Sequence, residues 1–401
     1  MEGKGSKKVV VLGCPKNRVD TEWGLSLINK GVYFINTCAF IKPAVQESFE
    51  EIERGINEVE KGKYKEVWVV GCLVERFGKD YLKNRYKKID FIKGIDWYID
   101  KKNYHLSRHP LKSYAYLKIS DGCDNRCFYC TIPYIKGKYR SRFKEKIVEE
   151  AIFLEKKGIK EIVIIANDVT QYGRDLYKDE GSPFIDLLSE LVKIDNVRYR
   201  FLYLYPSKVD FELIQFIVEH ENIFNYVDIP FQHVSDKVLK EMGRKYTKKE
   251  IVSIVQQLKK NNIQFRTTFI TGYPVEEEED FEQILDFIEK YRPFNVGVFR
   301  YFHENLAPSF SMYEDIVPAP IKEQRKEKIT ELFYTIKEET LKNLKEIEVI
   351  IDEVDEEGFF YGRTIYDAPE IDDTYIIRGK DLKIGKTYMG SIGDSLSIFI
   401  D

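Results

Sequence analysis

The chain has 401 residues, 43% of them hydrophobic and 32% charged, and a formal net charge of −4. This is the composition of a soluble globular protein with enough apolar surface for a sizeable core, and the length sets two or three domains as the prior. The longest apolar runs are strand-length, the polar start carries no signal-peptide core, and no basic excess advertises nucleic acid; membrane-spanning, secreted, collagen-like and disordered classes are excluded, and a cytoplasmic setting is predicted.

In chain order, residues 1–105 alternate strand and helix. Strands are predicted near 8–12, 32–36 and 66–71, and helices near 19–30, 43–61 and 78–88, which makes a small parallel-sheet α/β domain. Over 106–320 the alternation restarts. Strand-like runs recur at SYAYLKIS, EIVIIA, RYRFLYL, YVDIP, FRTTFI and NVGVFRYF, with helices at 143–157, 183–193, 210–220, 235–242, 247–261 and 277–290. Six strand–helix units predict a partial β/α barrel. Residues 321–344 read as one long charged connecting helix. Residues 345–401 alternate apolar and polar residues between Gly and Asp turns and predict a small antiparallel β-barrel.

Six cysteines fall into two groups of three. Cys123, Cys127 and Cys130 stand in SDGCDNRCFYC with C-x3-C-x2-C spacing. Cys14, Cys38 and Cys72 are dispersed, but each ends an apolar strand: VVVLGC, VYFINTC, VWVVGC. Ligands gather at the carboxyl ends of parallel strands, so three such cysteines can converge. Three thiols are one short of a structural zinc site and suit a four-iron cluster with one iron left open. A zinc knuckle completed by His105 or His109 is disfavoured, because knuckles pair cysteines as C-x2-C twice.

These residues resemble the radical S-adenosylmethionine methylthiotransferases over nearly the whole chain. The C-x3-C-x2-C motif with Tyr129 before its last cysteine belongs to the superfamily, and Cys14, Cys38 and Cys72 upstream narrow the match to methylthiotransferases. LGCPKN, NTCAFI, YLKISDGCDNRCFYCTIP, YVDIPFQHVSD and YDAPEID are similar to the branch that modifies an aspartate of a basic small-subunit ribosomal protein. The transfer-RNA branch typically reads GCQMN and PVQSGS where this chain has GCPKN and IPFQHVS. The Cys14–Cys38 segment is shorter than in the family, Val275 stands at a family glycine in GYPVEE, and ENLAPSF departs from the usual pattern.

The resemblance implies an N-terminal domain holding one 4Fe–4S cluster on Cys14, Cys38 and Cys72, a radical barrel holding another on Cys123, Cys127 and Cys130, and a C-terminal TRAM barrel. It implies S-adenosylmethionine bound at the open iron of the second cluster and hydrogen abstraction from the aspartate β-carbon. The sulfur would come from the first cluster, and electrons from a donor such as a ferredoxin or flavodoxin. Weaker candidates for cofactor contact are Tyr129, Asn167, Asp168, Gln171, Gln232, His233, Gly272 and Pro274, most of them at strand ends. A turn built from Asn and Asp is an equal reading for residues 167–171, and a packed structural histidine is the commoner reading of His233.

Residues 345–401 carry 14 acidic against 6 basic side chains, and the rest of the chain has a balance of +4. An acidic module repels phosphates and suits a basic protein partner, which disfavours a transfer-RNA substrate; from charge alone, a solvated acidic surface with no partner is an equal reading. The candidate contacts are Asp352, Glu353, Asp355, Glu356 and Glu357, with Asp372 and Asp373 at a second turn. The rival classes are a transfer-RNA methylthiotransferase, an iron–sulfur electron carrier and a zinc RNA-binding protein.

Overall fold

The computed structural model describes residues 6–98, 103–108, 112–177, 181–393 and 397–400. The first module is β1 (Lys8–Val11), α1 (Pro15–Gly24), β2 (Val32–Thr37), α2 (Lys42–Glu60), β3 (Glu66–Gly71), α3 (Cys72–Phe77), α4 (Lys79–Arg85) and β4 (Phe91–Lys93). The sheet runs β1-β2-β3-β4 with all pairs parallel. Two differences from expectation have local causes. α1 starts at Pro15, earlier than the apolar pattern suggests, because proline is pre-set for the first helical position. α3 follows β3 without a loop, because Gly71 takes φ +95° and turns the chain in one residue.

The second module begins with β5 (Tyr114–Lys118), a small ribbon of β6 (Ser120–Asp121) and β7 (Arg140–Ser141) around the short α5 (Ile132–Ile135), then α6 (Lys144–Lys156). It continues through β8 (Glu161–Ile165), α7 (Pro183–Leu191), β9 (Arg198–Phe201), α8 (Phe211–Glu219), β10 (Ile223–Asp228), α9 (Asp236–Glu241) and α10 (Lys248–Lys260). β11 (Gln264–Thr271), α11 (Glu278–Tyr291), β12 (Asn295–Arg300) and the short α12 (Ser309–Met312) complete it. Six parallel strands in the order β5-β8-β9-β10-β11-β12 form an open, partial barrel.

Side chains alternate across this sheet. Leu117, Ile162, Ile164, Phe201, Val227 and Phe269 face the outer helices. Tyr114, Tyr116, Val163, Ile165, Phe224 and Tyr226 face the concave side, where they share one core with Trp23 and Phe34 of the first module and Ala368 of the last. A core built from all three modules binds them into one body.

The connecting helix α13 (Ala319–Asn343) leads to β13 (Ile347–Val354), β14 (Phe360–Thr364), β15 (Tyr375–Arg378), β16 (Thr387–Ile392) and β17 (Ser397–Phe399). These close a five-stranded barrel in the order β13-β14-β15-β17-β16. Its pairs are antiparallel except β15 with β17, which run parallel.

The acidity of this module is largely internal. Asp372 pairs with Arg266 of β11 at 2.9 Å, Asp373 with Lys337 of α13 at 2.6 Å, and Glu348 with Arg198 of β9 at 2.6 Å. Asp352 and Glu161 share Arg363 at 2.8 and 2.6 Å. Asp352, Asp372 and Asp373 are therefore not partner contacts: Asp372 and Asp373 fasten the module to the rest of the chain, and Asp352 braces Arg363, which reaches Glu161. Asp355 accepts hydrogen bonds from Glu357 N, Phe359 N and the Tyr361 hydroxyl and shapes the β13–β14 turn. Glu353, Glu356 and Glu357 are the exposed ones of that group, and Glu353 also pairs with Lys112 at 3.8 Å.

Candidate active site

Cys14 caps α1 after β1, Cys38 follows β2 and Cys72 opens α3 after β3, so the first three thiols stand at the carboxyl ends of adjacent parallel strands. The loops approach so closely that a Cβ at Gly13, where φ is +85°, would lie 2.7 Å from Cys38 Sγ; only glycine fits. Asn17 laces them together. Its amide donates to Leu12 O at 2.8 Å and Thr37 O at 3.0 Å, and its Oδ1 lies 3.9 Å from Cys72 Sγ. Ser48 holds Cys38 at both ends, accepting from its N–H at 3.1 Å and donating to its carbonyl at 2.7 Å. Sequence reasoning missed both residues, although Asn17 lies within the GCPKN signature.

The three thiols differ electrically. Burial pushes Cys38 up and Cys72 up to about 12. Burial acts the same way on Cys14, but the ammonium groups of Lys16 and Lys136 and two backbone N–H groups outweigh it and hold this thiol below its ordinary value. A buried thiol that keeps its proton in the apo-protein gives it up to an incoming metal.

The second group lies on the loop between β6 and β7, at the carboxyl end of β5. Gly122, with φ +76°, lets the loop pass against the backbone of Lys138, and Cys123 N donates to Gly137 O at 3.2 Å. Burial raises Cys123 to about 12 and pushes Cys130 up as well. Arg244 donates to Cys127 Sγ and to the Tyr129 hydroxyl, each at 3.3 Å, and to Pro230 O at 2.8 Å. Neither Arg244 nor its role beside Cys127 was visible in the sequence pattern.

Asp168 joins this loop to the next strand end. Its carboxylate accepts from Asn125 Nδ2 at 2.7 Å, Gln171 Nε2 at 2.8 Å and Thr170 N at 3.0 Å. It builds its own turn and also steadies the loop between Cys123 and Cys127. Asn167 Oδ1 is enclosed and has no hydrogen-bond partner among the described residues.

Gln232 has φ +70° and a backbone held by Thr268 O and Ile270 N. His233 is fully buried: Nδ1 accepts from Ser235 N at 2.9 Å and Nε2 lies 3.3 Å from Glu276. Glu276 also pairs with Arg325 of α13 at 2.6 Å and accepts from Gly272 N at 2.9 Å. This network fastens β11 to α13, with Pro274 buried in the same turn. His105 is engaged by Glu149 at 3.1 Å, and His109 lies outside the described residues.

The elements that carry the two triads meet. α3, which begins at Cys72, packs against α5, which begins two residues after Cys130. Glu304, beyond β12, accepts from Lys42 N at 2.5 Å and Arg76 at 2.8 Å. Lys118 bridges Asp20 of α1 and Asp121 of β6, and Lys136 meets Asp121 at 3.0 Å. Among the described residues no three His, Cys, Asp or Glu side chains come close enough to grip a single ion. A cubane cluster takes its thiolates at separate corners, and two sets of three thiols match two clusters that each keep one iron open.

A model of the Radical SAM superfamily matches residues 117–288, one of Uncharacterized protein family UPF0004 residues 7–94, and one of the TRAM domain residues 345–397. The chain is 38% identical to the ribosomal protein uS12 methylthiotransferase RimO of Acetivibrio thermocellus, covering 94% of this chain and 93% of that one. It is 39% identical to the protein of the same name from Aquifex aeolicus, covering 94% and 92%. Among solved structures it resembles the radical S-adenosylmethionine methyltransferase TsrM of Kitasatospora setae with a TM-score of 0.51 at 14% identity, over 73% of this chain and 68% of that one; the likeness is one of fold.

Proposed function

The chain belongs to the RimO family of ribosomal protein uS12 methylthiotransferases, and from that membership we propose that it adds a methylthio group to the β-carbon of an aspartate in ribosomal protein uS12. The observation that carries the proposal is the presence of two three-cysteine groups on elements that meet across the module seam, in a chain alike to its relatives over nearly its whole length.

Cys123, Cys127 and Cys130 would hold the 4Fe–4S cluster that binds S-adenosylmethionine, and Cys14, Cys38 and Cys72 the auxiliary one. When bound, these groups supply hydrogen abstraction from an unactivated carbon and the sulfur and methyl that replace the hydrogen. The protein's part is placement. Asp168 and Asn125 fix the first loop, and Asn167 offers an acceptor for a donor group of the cofactor. Arg244 donates to Cys127 Sγ and to the Tyr129 hydroxyl and so fixes this part of the loop. Asn17 and Ser48 fix the auxiliary loops. The interlocked seam keeps both sites on one side of the barrel, at the strand ends where such barrels do chemistry.

A basic ribosomal protein suits the outward-facing Glu353, Glu356 and Glu357, and a ferredoxin or flavodoxin is the class of donor able to supply single electrons. No helix among the described residues is long and apolar enough to cross a membrane, and reduced thiols suit a cytoplasmic setting. Mass spectrometry of ribosomal proteins and transfer RNA from cells with and without the gene tests the assignment. Loss of a methylthio mass on uS12 is expected; loss on transfer RNA alone would overturn it.

A further inference from the structure

A cation taken out of water needs an anion. Among the described residues, the other deeply buried lysines and arginines end on carboxylates: Lys118 on Asp20 and Asp121, Lys136 on Asp121, Lys337 on Asp367 and Asp373, and the buried arginines likewise. Lys16 is different. It is 6% exposed, its ammonium donates to Ala166 O at 3.3 Å and stands 4.3 Å from the centre of the Tyr203 ring, and no carboxylate of the described residues pairs with it. A carbonyl and an aromatic face steady a cation without neutralising it.

The place of this charge is informative. Lys16 is two residues from Cys14, while Ala166 follows β8 and Tyr203 follows β9. The ammonium therefore sits at the mouth of the barrel, in its seam with the first module. Tyr203 is held at φ +68°, a costly conformation for a non-glycine residue, by Asp228 on its N–H at 3.0 Å and Val169 N on its carbonyl at 3.3 Å. Strain of this kind persists where the surroundings over-determine it and gathers at functional sites. Here the held residue is the one whose ring carries a cation that acts on the Cys14 thiol but has no carboxylate partner among the described residues.

We infer that Lys16 receives the side-chain carboxylate of the substrate aspartate and sets the preference for an acidic residue. The inference rests on the ribosomal-protein assignment above. The carboxylate is bonded to the carbon that reacts, so anchoring it fixes that carbon between the two cysteine sites. An uncharged amide in its place leaves the buried ammonium unpaired, and this is the kind of mismatch that discriminates strongly. S-adenosylmethionine also carries a carboxylate, and the experiment separates the two sources.

The test uses full-length reconstituted protein, Lys16→Met, which keeps the length and removes the charge, and Lys16→Arg, which keeps the charge. Calorimetry without reductant measures binding of a synthetic peptide spanning the modified uS12 aspartate, of its asparagine counterpart, and of S-adenosylmethionine. In Lys16→Met the aspartate peptide is expected to bind about 10- to 100-fold more weakly, with asparagine-peptide and S-adenosylmethionine binding unchanged when wild type and variant are compared at matched iron content, because Lys16 also acts on the Cys14 thiol. Lys16→Arg is expected to recover part of the loss. Equal weakening of both peptides would assign Lys16 a structural role and overturn the inference. Weakened S-adenosylmethionine binding with the aspartate peptide unaffected would overturn it in favour of the cofactor's carboxylate. Wild-type protein that ignores the aspartate peptide and modifies transfer RNA would overturn the substrate assignment, and the inference with it.

Discussion

Thr131, the residue after Cys130, donates its hydroxyl to the carbonyl oxygen of Phe40, two residues beyond Cys38, at 2.8 Å. The bond ties the loop of one triad directly to that of the other, so their spacing is set by the protein before any cofactor binds. Thr131→Val keeps the shape and deletes the donor. It is expected to cost about 1 kcal/mol, read as a lower Tm. It should also lower the yield of methylthiolated product per S-adenosylmethionine cleaved. An unchanged yield would mean that the seam does not depend on this bond.

The two triads should be separable. Fully reconstituted protein is expected to hold about eight irons, from two four-iron clusters. Replacing Cys123, Cys127 and Cys130 with Ala should halve the iron and abolish formation of 5′-deoxyadenosine. Replacing Cys14, Cys38 and Cys72 should also halve the iron but spare part of the cleavage while methylthio transfer vanishes. Full transfer by the latter protein would show the first triad to be structural.

Glu161 couples the C-terminal barrel to the sheet. Burial alone would raise its carboxyl, but Arg363 and Arg200 outweigh burial and hold it below the ordinary value. Its contribution is therefore complete above about pH 4.3 and is lost as pH falls through the lowered value. Glu161→Gln should cost about 3–5 kcal/mol near neutrality by stranding buried guanidinium groups. Its stability should then depend less steeply on acid than the wild type's. Parallel acid profiles of urea midpoints would rule out this coupling.

Reversing Glu353, Glu356 and Glu357 to Lys should slow association with isolated uS12 and flatten its dependence on salt. The same reversal at Asp372 or Asp373 should instead lower Tm, because Arg266 and Lys337 lose their partners. Stopped-flow association at two ionic strengths, beside thermal melts, distinguishes the two groups. Unaltered association in the first variant would remove this turn from the docking surface.

The strand runs, the three kinds of module and the strand-end positions of Cys14, Cys38 and Cys72 were legible because each is a local pattern: apolar periodicity, glycine punctuation, a thiol closing each strand. β4 was not, being three residues long with no alternation to detect. RYRFLYL read as a longer strand than β9 because the left-handed turn at Tyr203 leaves no mark in hydrophobicity. His233 and Gly272 lie beyond strand ends as expected, yet the partner of His233, Glu276, and that residue's own partner, Arg325, lie far along the chain. The surplus of acid in residues 345–401 was counted correctly and placed wrongly in part. Composition records how many carboxylates a module has, but not that Asp372 answers Arg266 across 106 residues.

The segment 363–373 has a bearing on how the molecule comes into being. Its groups satisfy the floor of the sheet: Arg363 on Glu161, Pro369 O on the Tyr116 hydroxyl, Glu370 on Tyr114, Asp372 on Arg266 and Tyr226, and Asp367 on Asn295. Chains emerge from the ribosome amino-terminus first and tend to fold module by module. Here the barrel strands are all synthesised before the second partners of their buried charges exist, since Arg266 has Asp228 and Glu161 has Arg200 within the sheet but Asp372 and Arg363 come later. The concave side of the sheet must wait for this segment to settle, and a nascent chain or a truncation stopping at α13 would expose half-satisfied charges and tyrosine hydroxyls where the finished enzyme has a sealed base.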